Sequence, residues 1–155
     1  MLPWLWISAV VIGLDQYTKQ LAESSLHPYR PQVVCSYFDL TLMYNPGAAF
    51  SFLSDQGGWQ RWFFIIVASL VTIVLVGWLA FLKRCDRMIA IALSLIIGGA
   101  IGNLIDRVLY GHVIDFIHVH YEQWYWPAFN IADSAITVGV VLMLGDAFLT
   151  KREEG

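Results

Sequence analysis

Long apolar runs, each closed by a few polar residues, set the pattern of this chain. Trp62 to Leu82 is 21 residues without a charge, and Met88 to Ile105 is uncharged for 18 residues before Asp106 and Arg107. Ser134 to Phe148 is apolar apart from Asp146 and begins beside Asp133. The first run, Leu2 to Leu14, has only 13 residues; it reaches spanning length by continuing through Asp15, Tyr17 and Lys19 to about Leu21. A hydrocarbon core about 30 Å thick takes about 20 apolar residues of helix. The pattern predicts four transmembrane helices, roughly 3–22, 62–82, 88–107 and 131–150, with outer loops 23–61 and 108–130. The first segment has no basic leader and no small-residue cleavage site, so it reads as a retained span rather than a removed signal peptide.

A second period appears in the first long loop. Val34, Phe38, Leu40, Leu42 and Tyr44 fall at even positions, with Cys35, Tyr37, Asp39 and Thr41 between them. Alternation of this kind predicts one or two amphipathic strands, entered after Pro28 and Pro31 and left at Asn45-Pro46-Gly47. The expected fold class is therefore membrane all-α, with a small extracytoplasmic β-sheet. That sheet lies either on the lipid surface or against the protein's own helices.

Composition agrees and narrows the field. The chain is 155 residues, 58% hydrophobic and 14% charged, with a mean hydropathy of +0.62. Globular domains carry about 25% charged residues, so a soluble domain is disfavoured, and disorder is excluded by the apolar content. Net charge −3 and no basic patch argue against nucleic-acid binding. Lys83, Arg84, Arg87, Lys151 and Arg152 gather at one side of the predicted spans, while the outer loops hold only Arg30 and Arg61. Cytoplasmic loops carry the excess of Lys and Arg, so both termini are expected in the cytoplasm. Cys35 and Cys85 then fall on opposite sides of the membrane, and no disulfide is expected.

The polar residues inside the spans are few and clustered. Asp15 and Lys19 are four apart and can pair. Gly99, Asn103 and Arg107 form one stripe on the third span; Gly98, Gly102 and Asp106 form a second, with the small residues letting another helix approach. Asp115 sits in the apolar run Val113 to Ile117, and Asn130 and Asp133 open the last span. In the expected orientation all of them fall at the outer ends of their helices. Intramembrane ionisable groups are costly and mark function by default, although an acid at a helix start is often only a cap. No HExxH or phosphate loop is present, and His118 and His120 lack a third ligand, so no metal and no cofactor are expected. Carboxylate chemistry remains: two acids in a poorly solvated site share one proton and can activate water. Asp115 and Asp133 are the best pair, because each is embedded among apolar residues.

Five blocks, in order, resemble the bacterial lipoprotein signal peptidases, also called type II signal peptidases. They are Asp15-Gln16-Tyr17-Thr18-Lys19; Asn45-Pro46-Gly47-Ala48-Ala49-Phe50-Ser51; Gly98 through Arg107; Val113-Ile114-Asp115-Phe116; and Phe129-Asn130-Ile131-Ala132-Asp133-Ser134. The resemblance implies a four-helix aspartyl protease of the bacterial inner membrane, with an outer sheet resting on the membrane. It implies removal of signal peptides from diacylglyceryl-modified prolipoproteins, with membrane lipids as partners and no metal. Asp115 and Asp133 match the family's catalytic dyad. Asn45, Asn103, Arg107 and Asn130 match residues lining the site, and Asp15 and Lys19 a supporting pair. Gly99, Asp106 and Ala132, inside the same blocks, are placed with them as site support. A monomer is expected, since one chain holds the whole constellation. Two rivals are a small transporter or channel, expected to carry polar groups through the full depth with internal repeats, and a non-catalytic scaffold.

Overall fold

The structure, a computed structural model, describes residues 1–47 and 59–149, and the helical backbone of 150–153. A 3₁₀ turn, Leu2–Trp4, leads into α1, Leu5–Ser25; β1, Gln32–Cys35, and β2, Phe38–Asn45, follow. Then come α2, Trp59–Phe81, α3, Arg87–Leu109, β3, Val113–Tyr121, β4, Trp124–Tyr125, and α4, Ile131–Glu153. The four long helices were all expected, within a few residues at each end. The earlier start of α2 moves Arg61 from the loop onto a helix.

Three helices, α2, α3 and α4, are long and apolar enough to cross a bilayer. At 1.5 Å per residue the 21 residues of α1 extend about 32 Å, but that helix also carries Asp15, Lys19 and Glu23. α3 is the hub, packing against α1, α2 and α4. Its two stripes face different neighbours. A Cβ added at Gly98 would meet Ser8 and Val11 of α1, and one at Gly102 would meet the Asp15 carboxylate. At Gly99 it would collide with the Ala132 carbonyl of α4. Small side chains at these positions are what allow the three backbones to approach.

The four strands form one antiparallel sheet in the order β1-β2-β3-β4. Half of it was not foreseen as strand, because β3 begins as a continuous apolar run without alternation. That run, Val113 to Phe116, is wholly buried, which is the pattern of a strand covered on both faces. Leu42, Ile114 and Phe116 pack against Ala22 of α1 and join the sheet to the helices.

The expected alternation in the first loop needs correcting. Val34 is 55% exposed, while Asp39 and Thr41, at the positions expected to face water, are buried. Register shifts between Leu40 and Met43, and β3 supplies partners on the polar side: His118 lies opposite Asp39, and His120 Nε2 is 3.2 Å from an Asp39 carboxylate oxygen. Both imidazoles stack on Tyr125 of β4. Among the described residues no group of three His, Cys, Asp or Glu side chains converges on a common point.

Candidate active site

Asp115 and Asp133 are brought to one place by the ends of α3 and α4 and the first half of β3. A short turn, Tyr110 to His112, carries the chain from α3 into β3, and Asp106 fixes it from inside. One Asp106 carboxylate oxygen accepts the Ile114 amide N–H at 3.2 Å and lies 2.7 Å from Lys19 Nζ. The residue after Ile114 is Asp115, which is 3% exposed.

Asn130 opens α4 as its N-cap. Its Oδ1 accepts the Asp133 N–H at 2.9 Å, and an Asp133 oxygen accepts the Asn130 N–H at 3.2 Å. That is a reciprocal capping box written Asn-x-x-Asp. Asp133 is therefore a cap, as the plainest reading of an acid near a helix start requires, but it does more. Its other oxygen accepts Asn103 Nδ2 at 2.8 Å.

Two buried asparagines tie the carboxylates together. Asn130 Nδ2 donates to Asp115 at 2.7 Å and lies 3.1 Å from Asn103 Oδ1. Lys19 Nζ donates to the same Asn103 oxygen at 3.0 Å. An ammonium can only donate, so it sets the Asn103 amide with its oxygen toward Lys19 and its nitrogen toward Asp133. Lys19 also lies 2.8 Å from Asp15. The other Asp15 oxygen accepts the Ala132 N–H at 2.9 Å, across 117 positions of sequence. A carboxylate at exposed backbone N–H groups of a helix start is favourable. Asp15, Lys19 and Asp106 are thus a buried brace between α1, α3 and α4.

The far side of Asp115 is held by the first loop. Asn45 Nδ2 donates to its second oxygen at 3.1 Å, while Asn45 Oδ1 accepts the Gly47 N–H at 3.0 Å. Burial first, and the charge of Asp133 second, push the Asp115 carboxyl from 3.8 up to about 7; the two asparagine donors oppose that rise. Each carboxylate also opens on its own cavity. Asp115 lines one of about 270 Å³ with Tyr29, Asn45 and Pro127, and Asp133 lines one of about 400 Å³ with Trp126, Phe129 and Val138.

The expected residues divide by what they touch. Asn45, Asn103 and Asn130 bond the two carboxylates. Arg107 stands beside them without an ion pair to either, donating to the Asn103 carbonyl at 3.3 Å and lying under the Phe64 ring. Gly99 and Ala132 set the spacing of α3 and α4. Ala48-Ala49-Phe50-Ser51 of the second block lie outside the described residues. Two contributors were missed. Gln16 donates to the remaining Asp106 oxygen at 2.8 Å; its place between Asp15 and Tyr17 in the first block was the available signal. Arg61 donates to the Arg107 and Val108 carbonyls at 2.9 and 2.7 Å.

One consequence is directly measurable. In Gly99→Ala the added methyl collides with the Ala132 carbonyl, and overpacking of this kind costs about 1–3 kcal/mol. The melting temperature should fall by several degrees, and activity should fall with it because Asp133 moves with α4. Gly13→Ala, inside α1 where a Cβ meets nothing within 4 Å and helix propensity favours alanine, should lower neither. Equal melting of the two variants would show that the helices are not in this contact.

The family model for signal peptidase (SPase) II matches residues 7–149. The lipoprotein signal peptidase of Pseudomonas fluorescens is 56% identical over 153 residues, covering 97% of this chain and 90% of that one. That of Pseudomonas syringae pv. tomato is 53% identical over 153 residues, 97% of this chain and 88% of its own. Among solved structures, a bacterial membrane enzyme determined by the in meso method at 2.3 Å resolution superposes with a TM-score of 0.84 at 32% identity, covering all of this chain and 93% of that one. Fold, motifs and relatives agree along nearly the whole length: the chain belongs to the signal peptidase II family of aspartic-type proteases.

Proposed function

We propose that this chain is an integral membrane endopeptidase that cleaves the signal peptide from diacylglyceryl-modified prolipoproteins, N-terminal to the lipidated Cys, with Asp115 and Asp133 as its dyad. The observation that carries the reading is Asn130, which bonds both carboxylates at once, Asp115 buried and Asp133 half-buried. The aspartic-type family and the names of its relatives supply the substrate class.

The chemistry follows from one shared proton. The ionised carboxylate takes a proton from a water as that water adds to the carbonyl carbon before the Cys, and the protonated carboxyl gives its proton to the carbonyl oxygen. In the tetrahedral diol that results, one carboxylate removes a hydroxyl proton while the other carboxyl protonates the Cys nitrogen. The C–N bond then breaks, and the dyad returns with one proton. No cofactor enters these steps. Asn103 and Asn130 steady the charge on the pair, and Arg107 adds a positive charge beside it. Asn45 holds Asp115 from the loop side.

Topology completes the reading. α1 is the fourth crossing, made compatible with lipid by the internal pairing of Asp15 and Lys19. Both termini and the basic turn at Lys83, Arg84 and Arg87 lie in the cytoplasm, and the dyad lies near the outer leaflet of the bacterial inner membrane. The sheet rests on the membrane, an arrangement favoured by the exposed Tyr121, Trp124, Tyr125 and Trp126. The two cavities flank residues 126–129, and the larger opens beside the outward-facing Val138, a route for acyl chains between helix and lipid. One chain forms the whole protease domain and works as a monomer.

The test is cleavage by the purified protein in lipid. A diacylglyceryl-modified precursor should be cut at the bond before the Cys, and the unmodified precursor should persist. Equal cleavage of both would remove the lipid from the recognition, and no cleavage of either would remove the activity.

A further inference from the structure

Among the four helices, α2 supplies no side chain that bonds either carboxylate; its Arg61 holds the Arg107 and Val108 carbonyls instead. Within it only Gln60 and Leu79 are buried, and Trp59 and Trp62 at its start are 51% and 62% exposed, as interfacial anchors are. Phe64 differs from these anchors. It is half-buried, and its ring meets two parts of the site. On one side it carries the Arg107 guanidinium, with Cζ 5.3 Å from the ring centroid. On the other it fills the space beside Gly47, where a Cβ would collide with the ring.

Gly47 is the last link to the chemistry. Its φ of +103° suits glycine, and its N–H holds Asn45 Oδ1 at 3.0 Å. That bond fixes which way the Asn45 amide faces and leaves Nδ2 for Asp115 at 3.1 Å. One turn before Phe64, on the same helix face, Arg61 clamps the backbone of Arg107 through its carbonyl at 2.9 Å. The start of α2 thereby grips Arg107 at both its backbone and its guanidinium, and bears on the Asn45 turn.

We propose that Phe64 is a positioning residue of the protease: its ring, wedged between the Arg107 guanidinium and Gly47, holds the Asn45 amide on Asp115. This rests on the reading of Asp115 as a member of the dyad. A ring needed only for packing would affect folding and nothing else. A ring acting through Asn45 also affects the proton on Asp115. Asn45 donates to the ionised form and favours it, so its loss lets the carboxyl keep its proton to higher pH.

The experiment compares pH profiles of kcat and KM for cleavage of a lipidated precursor. Phe64→Leu should lower kcat roughly tenfold, as a small misplacement of reacting groups does, with KM nearly unchanged. Its alkaline limb should move to higher pH, because the one-proton dyad survives further. Phe64→Tyr, which keeps the ring, should restore both. In an Asn45→Ala background, Phe64→Leu should move the limb no further, since the two act through one contact. Should Phe64→Leu fail to fold, Phe64→Met carries the same expectations. Asp115→Asn is run alongside: if it retains activity, the dyad reading itself fails. If it is inactive and the folded Phe64 variant keeps the wild-type limb, whether or not its rate falls, the positioning inference alone is overturned. A shift that adds to that of Asn45→Ala overturns it as well.

Discussion

Asp115→Asn should abolish cleavage of a lipidated prolipoprotein while the protein still inserts and folds. Removing one proton donor or acceptor from a general acid–base pair costs about 10²–10⁴ in rate, and members of a pair acting as one unit each cost nearly the whole effect. Asp133→Asn should do the same, since it leaves only one titratable carboxyl to do two jobs. Near-normal turnover by either variant would falsify the dyad.

The same substitution has a thermodynamic signature of the opposite sign. The Asp115 carboxyl stands at about 7 in the folded protein against an ordinary 3.8. A raised carboxyl favours the folded state while it is protonated. That contribution is complete below 3.8 and is lost as pH rises through about 7. At about 1.36 kcal/mol per pH unit the loss is on the order of 4 kcal/mol. Wild-type stability should therefore decline between pH 4 and pH 7 by more than that of Asp115→Asn. Melting curves of the two proteins at pH 5 and pH 8 measure the difference, and parallel curves would remove the buried-carboxyl account. At neutral pH Asp115→Asn also turns an amide nitrogen toward Asn45 or Asn130, both donors here, which offsets part of the gain.

Lys19→Met should produce the largest loss of stability. Lys19 Nζ lies 2.8 Å from Asp15 and 2.7 Å from Asp106, and all three side chains are almost wholly buried. Deleting the cation leaves two acids facing each other in a dry site, and breaking a buried pair this way costs about 3–5 kcal/mol. A second effect reaches the chemistry. Without Lys19 the Asn103 oxygen keeps only the Asn130 amide as donor, and the Asn103 bond to Asp133 is held less firmly. Lys19→Met should therefore lower both the melting temperature and kcat. Combining it with Asp15→Asn and Asp106→Asn should recover part of the stability, because no unpaired charge remains, and little of the activity. If Lys19→Met alone melted with the wild type, the brace would not be holding α1 to α3.

The helices were legible because lipid and a buried helix core both exclude charge, so uncharged length reads directly as span. The site was legible because polar residues are costly there: Asp15, Lys19, Asn103, Asp106, Asn130 and Asp133 stand out against their surroundings and do meet. Their division of labour was not legible. Gly98, Gly102 and Asp106 face α1, Gly99 faces α4 and Asn103 bonds both, and nothing in a stripe names the helix it will meet. β3 was hidden because a strand buried on both faces has no alternation. Asp39 misled for a related reason: it read as solvent-facing, yet the paired strand brings His118 opposite it and His120 to within 3.2 Å. Phe64 stayed invisible because an aromatic beginning a span is ordinarily an interfacial anchor, as Trp62 beside it is.

The bond from Asp15 to the Ala132 amide also bears on the order of assembly. These groups are separated by 117 positions, which at about 5–20 residues per second is roughly 6 to 23 s of synthesis. During that interval the proposed fourth crossing already has its cation matched to an acid four residues away, before its later partners exist. Asp133 meets Asn103 of α3 only when the final helix docks. On the proposed dyad, a nascent chain without its last helix lacks the second carboxylate, and cleavage waits for the finished bundle.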